Sequence, residues 1–184
     1  ILDVTLGAVV ANRFTGDPVW LFLVGPPGGS KTSTLQGFAE WREVYTLSSL
    51  TASTLVSGFV PNSGEDPSLL PQLNGKVLVV KDFTAILDMQ RDARQQIMGD
   101  LRDAFDGSMA KAYGSGAGRR AYKSKFGLIA AVTPAIDRYS KIGQQLGERF
   151  LKLRLTSEDS AKDRIKQSFK NSGHEVQMGQ ELMS

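Results

Sequence analysis

An α/β fold built on a parallel sheet is predicted by two features of the sequence. Continuous apolar runs (Pro18–Val24, Val77–Val80 and Phe126–Val132) are bounded by turn residues, as strands buried on both faces are. Between these runs lie segments with helical spacing. Strands alternating with helices imply right-handed crossovers and helices on both faces of the sheet.

The elements follow in order. Residues 1–12 space Ile1, Leu2, Leu6, Val9 and Val10 as one face of a helix. Pro18–Val24 is the first core strand, followed by a glycine-rich turn and a helix over Lys31–Val44. Tyr45–Leu47 reads as a short strand and Leu50–Phe59 as a short helix. Residues 61–75 hold three of the seven prolines and read as a loop. Val77–Val80 is a second apolar strand. Asp92–Phe105 is helical, with Ile97, Leu101, Ala104 and Phe105 on one stripe. Phe126–Val132 is a third strand and Phe150–Leu155 an alternating fourth. Beyond Thr156 the chain turns polar, with one helix near Ser160–Phe169.

At 184 residues the chain fits one domain, or one domain with a short appendage. A chain of this size buries roughly 70% of its unfolded surface and needs no covalent staple. It has no cysteine, which excludes a disulfide framework, a thiolate zinc site and a cysteine nucleophile. A single histidine, His174, argues against a histidine metal site or a Ser-His-Asp triad. The net charge of +3 is too mild to imply nucleic-acid binding by itself, so the placement of charge matters more. No apolar run approaches the ~20 residues that span a bilayer, and no signal peptide pattern is present, so a cytoplasmic protein is expected. Beginning at Ile1, the chain is expected to be a piece excised from a longer protein.

The sharpest motif is Gly25-Pro26-Pro27-Gly28-Gly29-Ser30-Lys31-Thr32, followed by Ser33, between a buried strand and a helix. A polyphosphate needs several backbone N–H groups converging on it, and glycine lets the backbone come that close. Lys31 supplies a point charge for the β- and γ-phosphates of ATP, and Thr32 a hydroxyl for Mg²⁺. The strict pattern GxxxxGK[ST] fails at one position, where Ser30 stands for the last glycine. Val77–Val80 then leads into Lys81-Asp82. In P-loop ATPases an acid at this point helps to hold Mg²⁺, usually beside a Glu that polarises the attacking water. Here one carboxylate, Asp82, is left for either duty.

Taken together, these residues resemble the AAA+ ATPases, and within them the minichromosome-maintenance (MCM)-like helicases of the pre-sensor-1 β-hairpin clade. Gly16-Asp17 resembles the Gly-Asp before that family's P-loop strand. Leu50-Thr51-Ala52-Ser53 resembles its Leu-Thr-Ala-Ser, and Ser108-Met109-Ala110-Lys111-Ala112 its Ser-Ile-Ala-Lys-Ala. Leu128–Pro134 resembles the sensor strand, with Thr133 in the place of the family's Asn. Glu148-Arg149-Phe150 resembles its Ser-Arg-Phe. The family also carries a small non-glycine residue before the P-loop lysine, as Ser30 does here. The likeness runs from about residue 15 to 155. It departs at Lys81 and Asp82, which replace the family's metal-binding acid and its Glu.

The resemblance implies a three-layer αβα sandwich over residues 1–155, with a β-hairpin inserted before the sensor strand. Residues 156–184 would form a partial lid or helical tail, the lid being largely absent. It further implies that Thr133 senses the γ-phosphate. Arg149 would be the finger completing a neighbour's site, in a homo-oligomeric ring, most simply a hexamer. The other reading of Arg149 is an ion pair with Glu148 or Asp137.

The segment between the helix ending near Phe105 and the strand at Phe126 carries a glycine-rich centre with alternating flanks, the pattern of a β-hairpin. Residues 107–125 hold five cations (Lys111, Arg119, Arg120, Lys123 and Lys125) and no acid. Alternation puts Arg119, Lys123 and Lys125 on one face, and Arg120, Tyr122 and Phe126 on the other. Such a finger suits phosphate contact, with Tyr113 and Tyr122 available to stack on bases. A solvated hairpin or a subunit-contact loop is the alternative. In the family resemblance it is the pre-sensor hairpin that tracks single-stranded DNA in the ring's channel.

The expectation is an ATP- and Mg²⁺-dependent ring motor, a DNA helicase or translocase of a size that suits a phage or other mobile replicon. Two rivals stand beside it. One is an AAA+ remodeller or helicase loader whose hairpin contacts protein. The other is a nucleotide-binding module with weak or no hydrolysis, motivated by Lys81.

Overall fold

Alternate residues of the central strands feed two separate cores, one on each face of a five-stranded parallel sheet. The computed structural model describes residues 1–28, 30–114, 117–139 and 149–155. In chain order the elements are α1 (Leu2–Ala11), β1 (Trp20–Val24), α2 (Lys31–Gln36), β2 (Val44–Leu47), β3 (Val77–Val80) and α3 (Thr84–Leu87). They continue with α4 (Arg91–Phe105), β4 (Ser108–Ala112), β5 (Arg119–Lys123), β6 (Gly127–Val132) and β7 (Phe150–Arg154). Short 3-10 turns cover Leu70–Leu73 and Pro134–Arg138.

The sheet order is β2-β3-β6-β1-β7, with every pairing parallel. β1, β3 and β6 are buried throughout, which explains why their sequences are unbroken apolar runs. Trp20, Phe22, Val24, Leu78, Val80, Leu128 and Ala130 face α3 and α4. Leu21, Leu23, Val77, Val79, Ile129 and Ala131 face α1 and α2. On the α4 side Phe22 stacks on Phe150 with centroids 3.8 Å apart, and Trp20 meets Phe105 edge-on at 5.1 Å. The Trp20 indole also donates to the Phe126 carbonyl at 2.9 Å, so its one polar atom is satisfied inside the core.

Asn12 ties the start of the sheet together. Its amide donates to the carbonyls of Ala8 and Val19 and accepts from the Val19 N–H. A Cβ on Gly127 would lie 2.2 Å from that amide, so only glycine fits at the start of β6.

Three expected elements differ. α2 ends at Gln36 instead of running to Val44, and a series of turns leads into β2. Leu50–Phe59 is not a helix, because the carbonyls of Thr54 and Leu55 accept from Leu69 and Leu70 across the chain. α1 buries Thr5, Ala8 and Val9, whereas Ile1, Leu2, Leu6 and Val10 of the expected stripe are exposed. The expected helix near residues 160–169 lies outside the described residues, as does the whole 156–184 segment.

Candidate functional site

The carboxyl ends of β1, β6 and β3 lie side by side, because β6 runs between the other two. The residues that follow these ends are the Gly25–Thr32 loop, Thr133 and Asp82. A crevice outside the carboxyl ends of parallel strands is where open α/β sheets bind ligands.

The loop leaves β1 at Gly25, whose N–H donates to the Val132 carbonyl at 3.1 Å. Gly28 has φ +72° and Ser30 φ +58°, both left-handed. Serine pays about 1–2 kcal/mol there, which is why glycine is the usual residue at this point of the motif. No side chain caps the amides at the start of α2. Gly29 lies outside the described residues. Pro26, Pro27 and Gly28 carry the loop outward to solvent, and a Cβ at Gly28 would meet open space.

Lys31 is 8% exposed, and its ammonium donates to the Gly25 and Pro26 carbonyls at 2.7 and 2.6 Å. The charge therefore lies across the loop's inner side. Burial pushes the Lys31 pKa down, and the Asp82 carboxylate opposes that shift. Thr32 is exposed beside Lys31. Ser33 instead lines a groove between α1 and α2, with Leu2, Leu6, Phe38 and Trp41.

Asp82 is exposed beyond β3. Its Oδ1 accepts the N–H groups of Thr84 at 2.9 Å and Ala85 at 3.3 Å, which caps α3. Among the described residues no group of three or more His, Cys, Asp or Glu side chains could hold a metal ion. Thr32 and the second oxygen of Asp82 are nonetheless a donor set that fits Mg²⁺ arriving with phosphate oxygens and waters, since Mg²⁺ commonly uses one or two carboxylates and keeps part of its hydration.

Thr133 is tied to a residue that the motif reading passes over. Its N–H donates to Thr84 Oγ1 at 3.0 Å, and the Thr84 hydroxyl donates to Thr133 Oγ1 at 3.3 Å. The signal available in the sequence was only a threonine two places after the acid. Its partner across the sheet is visible once β6 is known to lie beside β3.

Arg149 lies at the opposite, amino end of the strands. It precedes Phe150, which is in register with Trp20, whereas Arg154 is in register with Val24 beside the loop. About 13 Å of strand separates it from the Gly25–Thr32 loop. Its guanidinium donates to both oxygens of Asp106 at 2.9 and 3.2 Å and sits 5.4 Å over the Phe105 ring. The expected alternative partner Asp137 is taken instead by Arg154, in a two-bond pair at 2.8 and 2.9 Å. Glu148 lies outside the described residues.

β4 and β5 form a two-stranded antiparallel ribbon whose cations have unequal fates. Lys111 is paired with the buried Asp100, whose pKa is pushed up by burial and held back by that lysine. Arg120 is 12% exposed and paired with Asp66, and it also donates to Ser68 Oγ at 3.3 Å and to the Phe59 carbonyl at 3.0 Å. The Tyr122 hydroxyl bonds to the same Asp66, and the Tyr113 hydroxyl to the Val56 carbonyl at 2.8 Å. These two cations and two phenols, expected to meet a ligand, fasten the ribbon to the 56–68 segment. Arg119 and Lys123 stay exposed, Lys125 is half-buried, and none of the three is in an ion pair among the described residues. Residues 115–116 of the tip lie outside the described residues.

Compared with the models of known protein families and with curated proteins, the sequence gives no match. No described helix is long and apolar enough to cross a membrane.

Proposed function

We propose that this chain is the nucleotide-binding core of an AAA+-type ATPase, a ring-forming motor that acts on single-stranded DNA. The observation that carries the reading is that the Lys31 loop, Thr133 and Asp82 follow the adjacent carboxyl ends of β1, β6 and β3, with the Asp82 charge acting on Lys31. The uncapped start of α2, with a buried cation on the inner side of the loop before it, suits a polyphosphate. Lys31 would exchange its two carbonyl partners for the β- and γ-phosphates of ATP. Thr32 and Asp82 would hold the cation, and Asp82 caps α3 through Oδ1 only, so its second oxygen stays available. When bound, Mg²⁺ would neutralise charge developing on the phosphate oxygens. Thr133 would donate a hydrogen bond to the γ-phosphate or orient the attacking water. Arg149, remote from this chain's loop, would act only on a neighbouring subunit's nucleotide.

The direct test is calorimetry with a non-hydrolysable Mg-ATP analogue, together with ATP turnover by wild type, Lys31→Ala and Asp82→Asn. The reading expects wild-type binding and turnover, loss of binding in Lys31→Ala, and retained binding with lost turnover in Asp82→Asn. Absence of any heat of association with folded wild type overturns it. A second reading, a remodeller whose hairpin meets protein, is favoured by one observation. Lys111, Arg120, Tyr113 and Tyr122 are committed to the chain's own body. Stimulation of turnover by single-stranded DNA separates the two, since only the motor on DNA requires it.

A further inference from the structure

We propose that Thr84 is a positioning residue that turns Thr133 into a dedicated hydrogen-bond donor toward the phosphate site, an inference that rests on the nucleotide reading above. A threonine hydroxyl has one proton and two lone pairs, and on its own it rotates to suit any neighbour. Thr84 Oγ1 accepts the Thr133 N–H at 3.0 Å, and a backbone N–H can only donate. Thr84 Oγ1 in turn gives its single proton to Thr133 Oγ1, 3.3 Å away. That bond occupies one acceptor site of Thr133 and leaves its own proton directed away from Thr84.

The pair also links the two functional strand ends. Thr84 is held by its own N–H, which donates to Asp82 Oδ1 at 2.9 Å, and Phe83 N–H donates to the Ala131 carbonyl at 2.8 Å. One residue thus sets the relative positions of the acid after β3 and the hydroxyl after β6. An asparagine at position 133 would offer a donor fixed by its own planar amide. A threonine there needs a partner to fix its proton, and Thr84 is that partner. The bond between the two side chains does not merely hold β3 to β6, because the parallel ladder already joins those strands.

The test is the preference for a non-hydrolysable Mg-ATP analogue over Mg-ADP, measured by calorimetry on wild type, Thr84→Val, Thr84→Ser, Thr133→Val and the double Val variant. A fixed hydrogen bond to a charged phosphate is worth about tenfold. Thr84→Val is expected to lose about that much of the triphosphate preference while keeping its affinity for Mg-ADP. Thr84→Ser is expected to restore it. Thr133→Val should lose as much as Thr84→Val, and the double variant no more than either. Thermal melts accompany each protein, and Thr84→Ala takes the place of Thr84→Val if the valine variant does not fold. Unchanged preference in Thr84→Val, equal weakening of both ligands, or additive losses in the double variant overturns the proposal and leaves the nucleotide reading intact. Wild type that binds neither ligand overturns both.

Discussion

Arg120 and Asp66, 54 residues apart in sequence, form the ion pair that seats the β4–β5 ribbon on the loop before β3. Asp66 meets Arg120 with one carboxylate oxygen and Tyr122 with the other, and its Oδ1 also accepts the Ser68 N–H at 3.0 Å. A guanidinium buried in this way is a structural fastener. Arg120→Ala should therefore lower stability by roughly 1–3 kcal/mol, through loss of the charge-assisted bonds from its guanidinium to Asp66 and the Phe59 carbonyl. Arg119→Ala and Lys123→Ala should leave the melting temperature unchanged. Each should instead reduce the salt dependence of single-stranded DNA binding by about one unit of slope. Thermal melts and salt titrations with an oligonucleotide read both effects. Weakened DNA binding in Arg120→Ala with no loss of stability would contradict the assignment.

Tyr113 lies against Gly58 so closely that a Cβ there would be 2.4 Å from its ring. The ring cannot simply retreat, because its hydroxyl is bonded to the Val56 carbonyl. Burial pushes the Tyr113 pKa up, which keeps that donor proton in place. Gly58→Ala should cost about 1–3 kcal/mol through overpacking. On a Tyr113→Ala background the same change should cost little, since the obstacle is gone. The coupling in this double-mutant cycle, read by denaturant unfolding, is the measurement. Additive losses would mean that the ring is not what excludes a side chain at position 58.

The strands were legible because burial on both faces writes itself as an unbroken apolar run, and Val77–Val80 was read residue for residue. α1 was harder. It is apolar nearly all round, so which stripe is buried depends on the sheet beneath it and not on the helix's own period. Leu50–Phe59 has helical spacing, yet hydroxyl bonds between Thr51 and Thr54 and the tie from Ser57 N–H to Ser68 Oγ hold it as a turn. That the Gly25–Thr32 loop and Asp82 follow neighbouring strands of one sheet was legible from the strand pattern. The fates of Lys111 and Arg120 were not, since each depends on an acid, Asp100 or Asp66, brought to it by tertiary contact. Thr84 escaped for the same reason.

Asp137 gives a pH signature with a definite sign. The Arg154 guanidinium, donating two hydrogen bonds, holds the Asp137 carboxyl below its ordinary value of 3.8. A carboxyl with a lowered folded pKa contributes stability that is present above its unfolded value and lost as pH falls through the folded one. Wild type should therefore exceed Asp137→Asn in melting temperature by a constant small margin from about pH 5 upward. The margin should shrink as the pH falls below about 3.8. Both side chains are well exposed, so ~1 M salt should also close most of the gap. A margin that grows on acidification would reverse the sign and exclude this pair as its source.

Arg149 permits the most demanding test of the ring. Its position at the amino end of β7, the opposite end of the strands from the Gly25–Thr32 loop, means that any action on nucleotide is on another subunit's. Arg149→Ala should abolish most turnover, by analogy with other arginine fingers on the order of 10³-fold or more. It should leave nucleotide affinity intact, whereas Lys31→Ala loses both. Mixing the two inactive proteins should restore part of the activity. An interface with an intact loop from the Arg149→Ala subunit and an intact arginine from the Lys31→Ala subunit is complete. Asp106→Asn controls for the ion pair at 2.9 Å, because it removes that structural contact while leaving the guanidinium in place. If Arg149→Ala loses activity only in proportion to lost stability, and the mixture stays inactive, Arg149 serves the fold through Asp106 and Phe105 and not a neighbour's site.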